Sequence, residues 1–219
     1  MRGICLLICV LLASCATKQA PFMPDLFPVS TVGAKKEICE SAFVKGDWQF
    51  VHSITFAMSN GHGTTLVGIT VLQDNKLKTV LMGVEGFVLF EAEQEDFGRV
   101  VVNRAMPPFD KTGFAEGLMR DVQTLFVAPA FAKRIAENAE GELVCRYTAE
   151  NNQITDVVTD GQGWNRIIRY DNQGAPKQTI SAEKYKEVAE EHIPEQIKLR
   201  SHGIRGYTLQ LQLLSAEKL

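Results

Sequence analysis

Between residues 207 and 213 the chain alternates without interruption: Tyr207, Leu209, Leu211 and Leu213 are apolar, and Thr208, Gln210 and Gln212 between them are polar. Successive side chains of a β-strand point to opposite faces, so this run has one face to bury and one to leave in water. A helix with the same pattern would scatter its apolar groups around the axis. The alternation recurs at Trp48, Phe50, Ile54, Phe56 and Met58, which share a face with His52, while Gln49, Ser53 and Thr55 take the other. A chain that repeats this pattern must bury many one-sided strands at once, which requires a sheet folded on itself or covered by another layer.

Turn signals divide the strands. Asn60-Gly61 follows the first, as a type I′ hairpin with two positive φ angles prefers. Runs at 64–72, 77–82, 87–93 and 99–103 come next, with gaps too short for parallel crossovers, which need a dozen or more residues. They read as an antiparallel meander. After Asp110, Phe114, Leu118 and Val122 recur every four residues, with Leu125 and Phe126 extending the stripe of an amphipathic helix. Pro129 ends that helix or starts a second short one reaching to about Ile135. Period two returns at Leu143, Cys145 and Tyr147, at 154–158, at 164–170, in a compositionally ambiguous stretch at 181–191 and at Ile197 and Leu199. The fold class expected is mainly β with a helical insertion: a curled antiparallel sheet, an open half-barrel of about eleven strands, covered by lid helices.

The start of the chain reads differently. Arg2 precedes an apolar run at 4–12, too short for the roughly 20 residues of a membrane-spanning helix and suited to a signal peptide over 1–14. Leu12, Ala13, Ser14 and Cys15 resemble a bacterial lipobox, in which the cysteine is acylated and becomes the first mature residue. Several acyl chains at ~0.8 kcal/mol per buried methylene make a stable anchor. Ala16, where an aspartate would retain enterobacterial-type lipoproteins in the inner membrane, favours the outer membrane and its periplasmic face. Residues 15–34, with Pro21, Pro24 and Pro28, read as lipidated cysteine and tether, although Phe22, Met23, Leu26 and Phe27 offer apolar groups that could dock. The domain proper is expected over 35–219. A formal net charge of −3 gives no basic footprint, so a nucleic-acid partner is not expected. Cys39 and Cys145 remain for the folded part, where either a disulfide or two separately buried thiols would account for them.

No catalytic or metal-binding constellation emerges. His52, His62, His192 and His202 lack H-E-x-x-H or zinc-site spacing, and neither a G-x-S-x-G elbow nor a phosphate loop is present, so neither catalytic residues nor a cofactor is expected. Glu91, Glu93, Glu95 and Asp96 read as a solvated strand end. The abundant one-faced apolar residues fit the filled core of a closed sandwich or the lining of a cavity in a curled sheet. In the second case the helix of Phe114, Leu118 and Val122 is a lid.

Lipobox, proline tether, meander, helical insertion and returning strands together resemble the LolA/LolB lipoprotein-carrier superfamily over residues 39–214. Residues 87–90, 100–102 and 118–126, ending before Pro129, are similar to an uncharacterised group of outer-membrane lipoproteins of LolB-like shape. Tyr185, Val188, Pro194, Ile197, Leu199, Tyr207, Leu209 and Leu211 resemble the superfamily's closing strands. The resemblance implies an open barrel closed by helices around an apolar cavity, and binding of a lipid or acylated cargo without catalysis. Trp48, Phe50, Phe56, Phe87, Leu89, Phe114, Leu118 and Val122 are then the candidate lipid-binding residues. The loop Gly83-Val84-Glu85-Gly86 offers Val84 as its membrane-facing residue, with Glu85 departing from an apolar tip. A filled core with an exposed interaction face would point instead to a protein-binding accessory of an envelope assembly.

Overall fold

The computed structural model describes residues 23–29, 32–59, 61–129, 132–203 and 206–219. Cys15 and the rest of the expected signal peptide lie outside them. Five long strands come first: β2 (Trp48–Met58), β3 (Gly63–Gln73), β4 (Lys76–Gly83), β5 (Val88–Glu95) and β6 (Val100–Ala105). The helix α2 (Phe114–Phe126) follows, then β7 (Ala132–Glu137), β8 (Leu143–Thr148), β9 (Ile154–Thr159), β10 (Trp164–Tyr170), β11 (Pro176–Val188), β12 (Glu191–Ser201) and β13 (Tyr207–Lys218). Before them all stand the two-residue β1 (Phe27–Pro28) and the helix α1 (Val32–Glu40).

The thirteen strands among the described residues form one sheet in the order β1-β7-β8-β9-β10-β11-β12-β13-β2-β3-β4-β5-β6, and every neighbouring pair is antiparallel. The strands before α2 wind outward from β2 to the β6 edge. The chain then passes through α2 to the far edge and winds back until β13 pairs with β2 along its length, from Tyr207 opposite Met58 to Lys218 opposite Trp48. The curled antiparallel sheet with its helical insertion is the architecture expected, at thirteen strands where about eleven were read. The ambiguous stretch at 181–191 is strand, split between β11 and β12 by a turn at Ala189 and Glu190, both of positive φ.

Curvature follows from what α2 touches. Its Phe114 ring meets Phe90 of β5 at 6.5 Å, and its Asp121 accepts a hydrogen bond from Gln178 of β11 at 2.8 Å. Those strands stand six places apart, about 29 Å in a flat sheet, whereas the seven residues from Phe114 to Asp121 advance roughly 10 Å along a helix. The sheet therefore wraps around α2. Trp48, Phe50, Leu77, Phe90, Met119, Ile180 and Leu199 are all at most 1% exposed in the core this creates.

Two sequence expectations need correction. Residues 132–137 form β7, not a second short helix: Ile135 and Ala136 find partners in Cys145 and Val144 of β8, and this pairing overrides local propensity. A helix, α1, occupies part of the stretch read as tether and the first residues of the domain. The described part of the tether is also strapped down. Met23 N–H donates to the Gly174 carbonyl at 2.9 Å, Phe27 and Pro28 pair with Glu137 and Ala136 of β7, and Arg146 and Arg134 donate to the carbonyls of Pro24 and Leu26, each at 3.3 Å. Proline at this outermost position limits the edge's capacity to pair further. Cys39 of α1 is disulfide-bonded to Cys145 of β8, with Cα atoms 5.9 Å apart, so the bridge fixes the helix to the sheet.

Candidate ligand-binding site

Between the C-terminal turn of α2 and the sheet lies a cavity of about 160 Å³. Its wall is built from five places in the chain: Ala42 and Phe43 after α1, Phe50 and His52 on β2, Leu125 and Phe126 on α2, Trp164 on β10 and Ile193 on β12. All eight are buried. Its rim carries Ser41, Gln162, Glu190 and His192, all exposed. Stacking organises the wall: Phe50 lies between Trp48 and Phe126, with ring centroids 5.7 and 4.9 Å away. Such pairs add about 0.5–1.5 kcal/mol each beyond area burial.

His52 is the polar exception in this wall. It is 2% exposed, its ring lies 5.6 Å from Phe126 and 6.3 Å from Phe50, and among the described residues no hydrogen bond reaches it. Burial lowers its pKa from 6.5 to about 4, so the imidazole is neutral near pH 7.

A second polar group sits under the middle of α2. Asp121 is 8% exposed and accepts hydrogen bonds from Gln178 of β11, at 2.8 Å, and from the Tyr207 hydroxyl of β13. Arg169, also 8% exposed, donates to the Gln178 side-chain oxygen at 3.4 Å. Burial raises the Asp121 pKa against the opposing pull of Tyr207, Gln178 and Arg169, and burial lowers that of Arg169. The group clasps helix to sheet. Its sequence signal was available: Asp121 continues the apolar stripe of Phe114, Leu118 and Leu125, where a carboxylate needs a buried partner.

The residues expected to line a lipid cavity separate into three groups. Phe50 alone lines the cavity. Trp48 is sealed behind it, Phe114 joins Phe90 and Phe109 in an edge-on aromatic cluster with centroids 5.3–6.5 Å apart, and Leu118 and Val122 are half-buried against the core. Phe56 meets the Tyr207 ring at 5.8 Å, and Leu89 is half-buried. Phe87 is 72% exposed and stands with Val84, 67% exposed, at the β4–β5 turn. On β5 the inward residues are Phe90, Ala92 and Gln94. The acidic residues take the other face, where Lys78 pairs with Glu91 and Lys76 with Glu95, each at 2.8 Å.

A larger hollow, about 420 Å³, lies among Ser53, Thr55, Gln196, Gln210 and Gln212, and its polar lining does not suit a hydrocarbon chain. Among the described residues no cluster of His, Cys, Asp and Glu could hold a metal, and no helix is long and apolar enough to cross a membrane.

No protein-family profile matches the chain, and no curated protein matches it. Solved structures do. A LolA superfamily protein from Nitrosomonas europaea superposes with a TM-score of 0.56 at 10% identity, covering 88% of this chain and 94% of its own. A DUF1329 family protein from Desulfovibrio piger gives 0.54 at 11% identity, covering 85% and 92%. At these identities the likeness is one of fold: the chain has the fold of a LolA superfamily protein over most of its length.

Proposed function

We propose that this chain is a non-catalytic envelope lipoprotein that holds an acyl chain, of an acylated protein or another lipid, in the apolar interior between the sheet and α2. The observation that carries this reading is the cavity beneath the C-terminal turn of α2, walled by Phe50, Leu125, Phe126 and Trp164. Its size sets a condition. A cavity of about 150 Å³ holds one benzene, so 160 Å³ does not accommodate a sixteen-carbon chain. Cargo enters when α2 shifts and its Asp121 clasp opens.

Cys15 is the proposed acyl anchor, at the periplasmic face of the outer membrane, with Val84 and Phe87 as the apolar tip that meets lipid. The lipoprotein-carrier fold supports this assignment of cargo and place. Titration of the Cys15→Ala chain with a fluorescent fatty acid, with native mass spectrometry of the purified protein, tests the cargo. One-to-one uptake is expected; no uptake and no co-purified lipid overturns it. In cells, Cys15→Ala is expected to leave the membrane fraction without acyl label.

A second reading, a protein-binding accessory of an envelope assembly, draws on the β6 edge. Among the described residues no strand pairs with its outer side, and Val101 and Val102 are 48% and 45% exposed there. A partner crosslinked at β6, from a protein that takes up no lipid, would favour it.

A further inference from the structure

The α2 cavity has features that an acyl chain would not use. Hydrocarbon needs no hydrogen bond, yet this wall presents a buried imidazole with no protein partner among the described residues. Covering that ring with hydrocarbon would leave its nitrogens without a partner, which is unfavourable by roughly 1–3 kcal/mol. Neutral imidazole offers one N–H donor and one ring-nitrogen acceptor, so it can satisfy a hydroxyl in either direction. The cavity is the size of a single six-membered ring. Its remaining buried wall is aromatic or aliphatic, with Phe43, Phe50, Phe126 and Trp164 as the ring-bearing surfaces.

Charge narrows the class further. Among the described residues no Lys or Arg lines the cavity, and Glu190 and Glu191 stand at its mouth. An anion would meet two carboxylates on entry and no cation inside. An organic cation would meet aromatic faces but no counter-charge in the buried wall. A neutral molecule meets neither penalty.

We propose that the cavity is a binding site for a small neutral aromatic or cyclic molecule, about one ring in size, whose single hydroxyl hydrogen-bonds to His52. It fills with α2 in place and needs no opening of the Asp121 clasp, so it is separate from the acyl-chain reading.

The test uses the full chain carrying Cys15→Ala, titrated with phenol, toluene and benzoate and followed by NMR of the histidine, phenylalanine and tryptophan ring C–H signals. Phenol is expected to bind and to shift the His52 signals. Toluene is expected to bind while shifting chiefly the Phe and Trp signals, and benzoate to bind at least tenfold more weakly than phenol. In His52→Leu the preference for phenol over toluene is expected to fall about fivefold, the worth of one hydrogen bond. The inference is overturned if phenol does not bind, if it binds without moving the His52 signals, if benzoate matches it, or if His52→Leu leaves the preference unchanged. Should His52→Leu fail to fold, the ring signals of the chain retaining His52 decide alone. Fatty-acid uptake measured on the same preparation keeps the two readings apart: phenol binding without uptake sinks only the acyl reading, and uptake without phenol binding sinks only this one.

Discussion

Acidification should destabilise this fold through His52, and the size of the effect follows from its burial. The ring is 2% exposed and takes up a proton only near pH 4, whereas the same histidine in the unfolded chain does so near 6.5. Because the unfolded state binds the proton first, the His52 contribution is fully present above pH 6.5 and is lost as pH falls toward 4. The gap in pKa corresponds to about 3 kcal/mol in full, and to about 2 kcal/mol between pH 7.5 and pH 5. Glu190, Glu191 and His192 at the cavity mouth and Asp121 on α2 also face this region, and Asp121 titrates with the opposite sign because burial raises its pKa. The decisive quantity is therefore a difference of differences. Urea unfolding of the chain and of its His52→Leu variant, each at pH 7.5 and pH 5, leaves those other groups common to both. At an m-value of about 2–3 kcal/mol/M the native chain should lose roughly 0.7–1 M more in midpoint than the variant on acidification. Parallel losses, within about 0.2 M, would refute the reasoning that His52 is buried and neutral.

The clasp, the disulfide and the exposed tip give three further expectations. Asp121→Ala removes the acceptor of a buried donor, Gln178, and a half-buried one, Tyr207, and should lower stability by about 2–4 kcal/mol while speeding uptake of a fluorescent fatty acid; unchanged stability and unchanged uptake together would refute the clasp. Replacing Cys39 and Cys145 together by serine opens a loop spanning 106 positions and should lower stability by up to about 4.7 kcal/mol in urea, with dithiothreitol reproducing the loss in the native chain alone. Val84→Ser with Phe87→Ser, at positions 67% and 72% exposed, should leave the unfolding midpoint within about 0.5 kcal/mol of native yet weaken sedimentation with phosphatidylglycerol vesicles by about tenfold; equal sedimentation would release the tip from any membrane role.

Strands whose two faces differ were legible residue by residue. Trp48, Phe50, His52 and Leu211 all face inward as their alternation requires, and Phe114, Leu118 and Leu125 of α2 turn toward the sheet as the helical stripe requires. Residues 87–90 failed because Phe87, Val88, Leu89 and Phe90 are all apolar and define no parity. The register also shifts between Leu81 and Met82 of the partner strand. A slip of one residue sends every side chain to the other face, so Phe87 and Leu89 were assigned inward when Phe90 and Ala92 are. The deciding signal stood just downstream, where Glu91, Glu93 and Glu95 claim the solvent face. Residues 132–137 failed for a different reason. Strand identity there is conferred by β8 across the sheet and by the strapped segment at 27–28, neither of which is local in sequence.

The site was less legible than the fold because it is assembled at the seams of the topology. Its wall takes residues 42–43 just after α1, the start of β2, the last turn of α2, the first residue of β10 and the start of β12, positions separated by up to about 150 residues. No single segment announces a cavity, since each contributes one or two apolar groups that would serve equally well in a filled core. What separates cavity from core is the polar minority. His52 on a strand face and Asp121 on a helix stripe each break an apolar pattern at a buried position, and the two differ in how they are answered. Asp121 is met by Gln178 and Tyr207 across the lid, which makes it a structural fastening. His52 is met by two aromatic rings and open volume. A buried polar group answered by the protein holds the fold together, and one left to a cavity marks where the protein awaits something else.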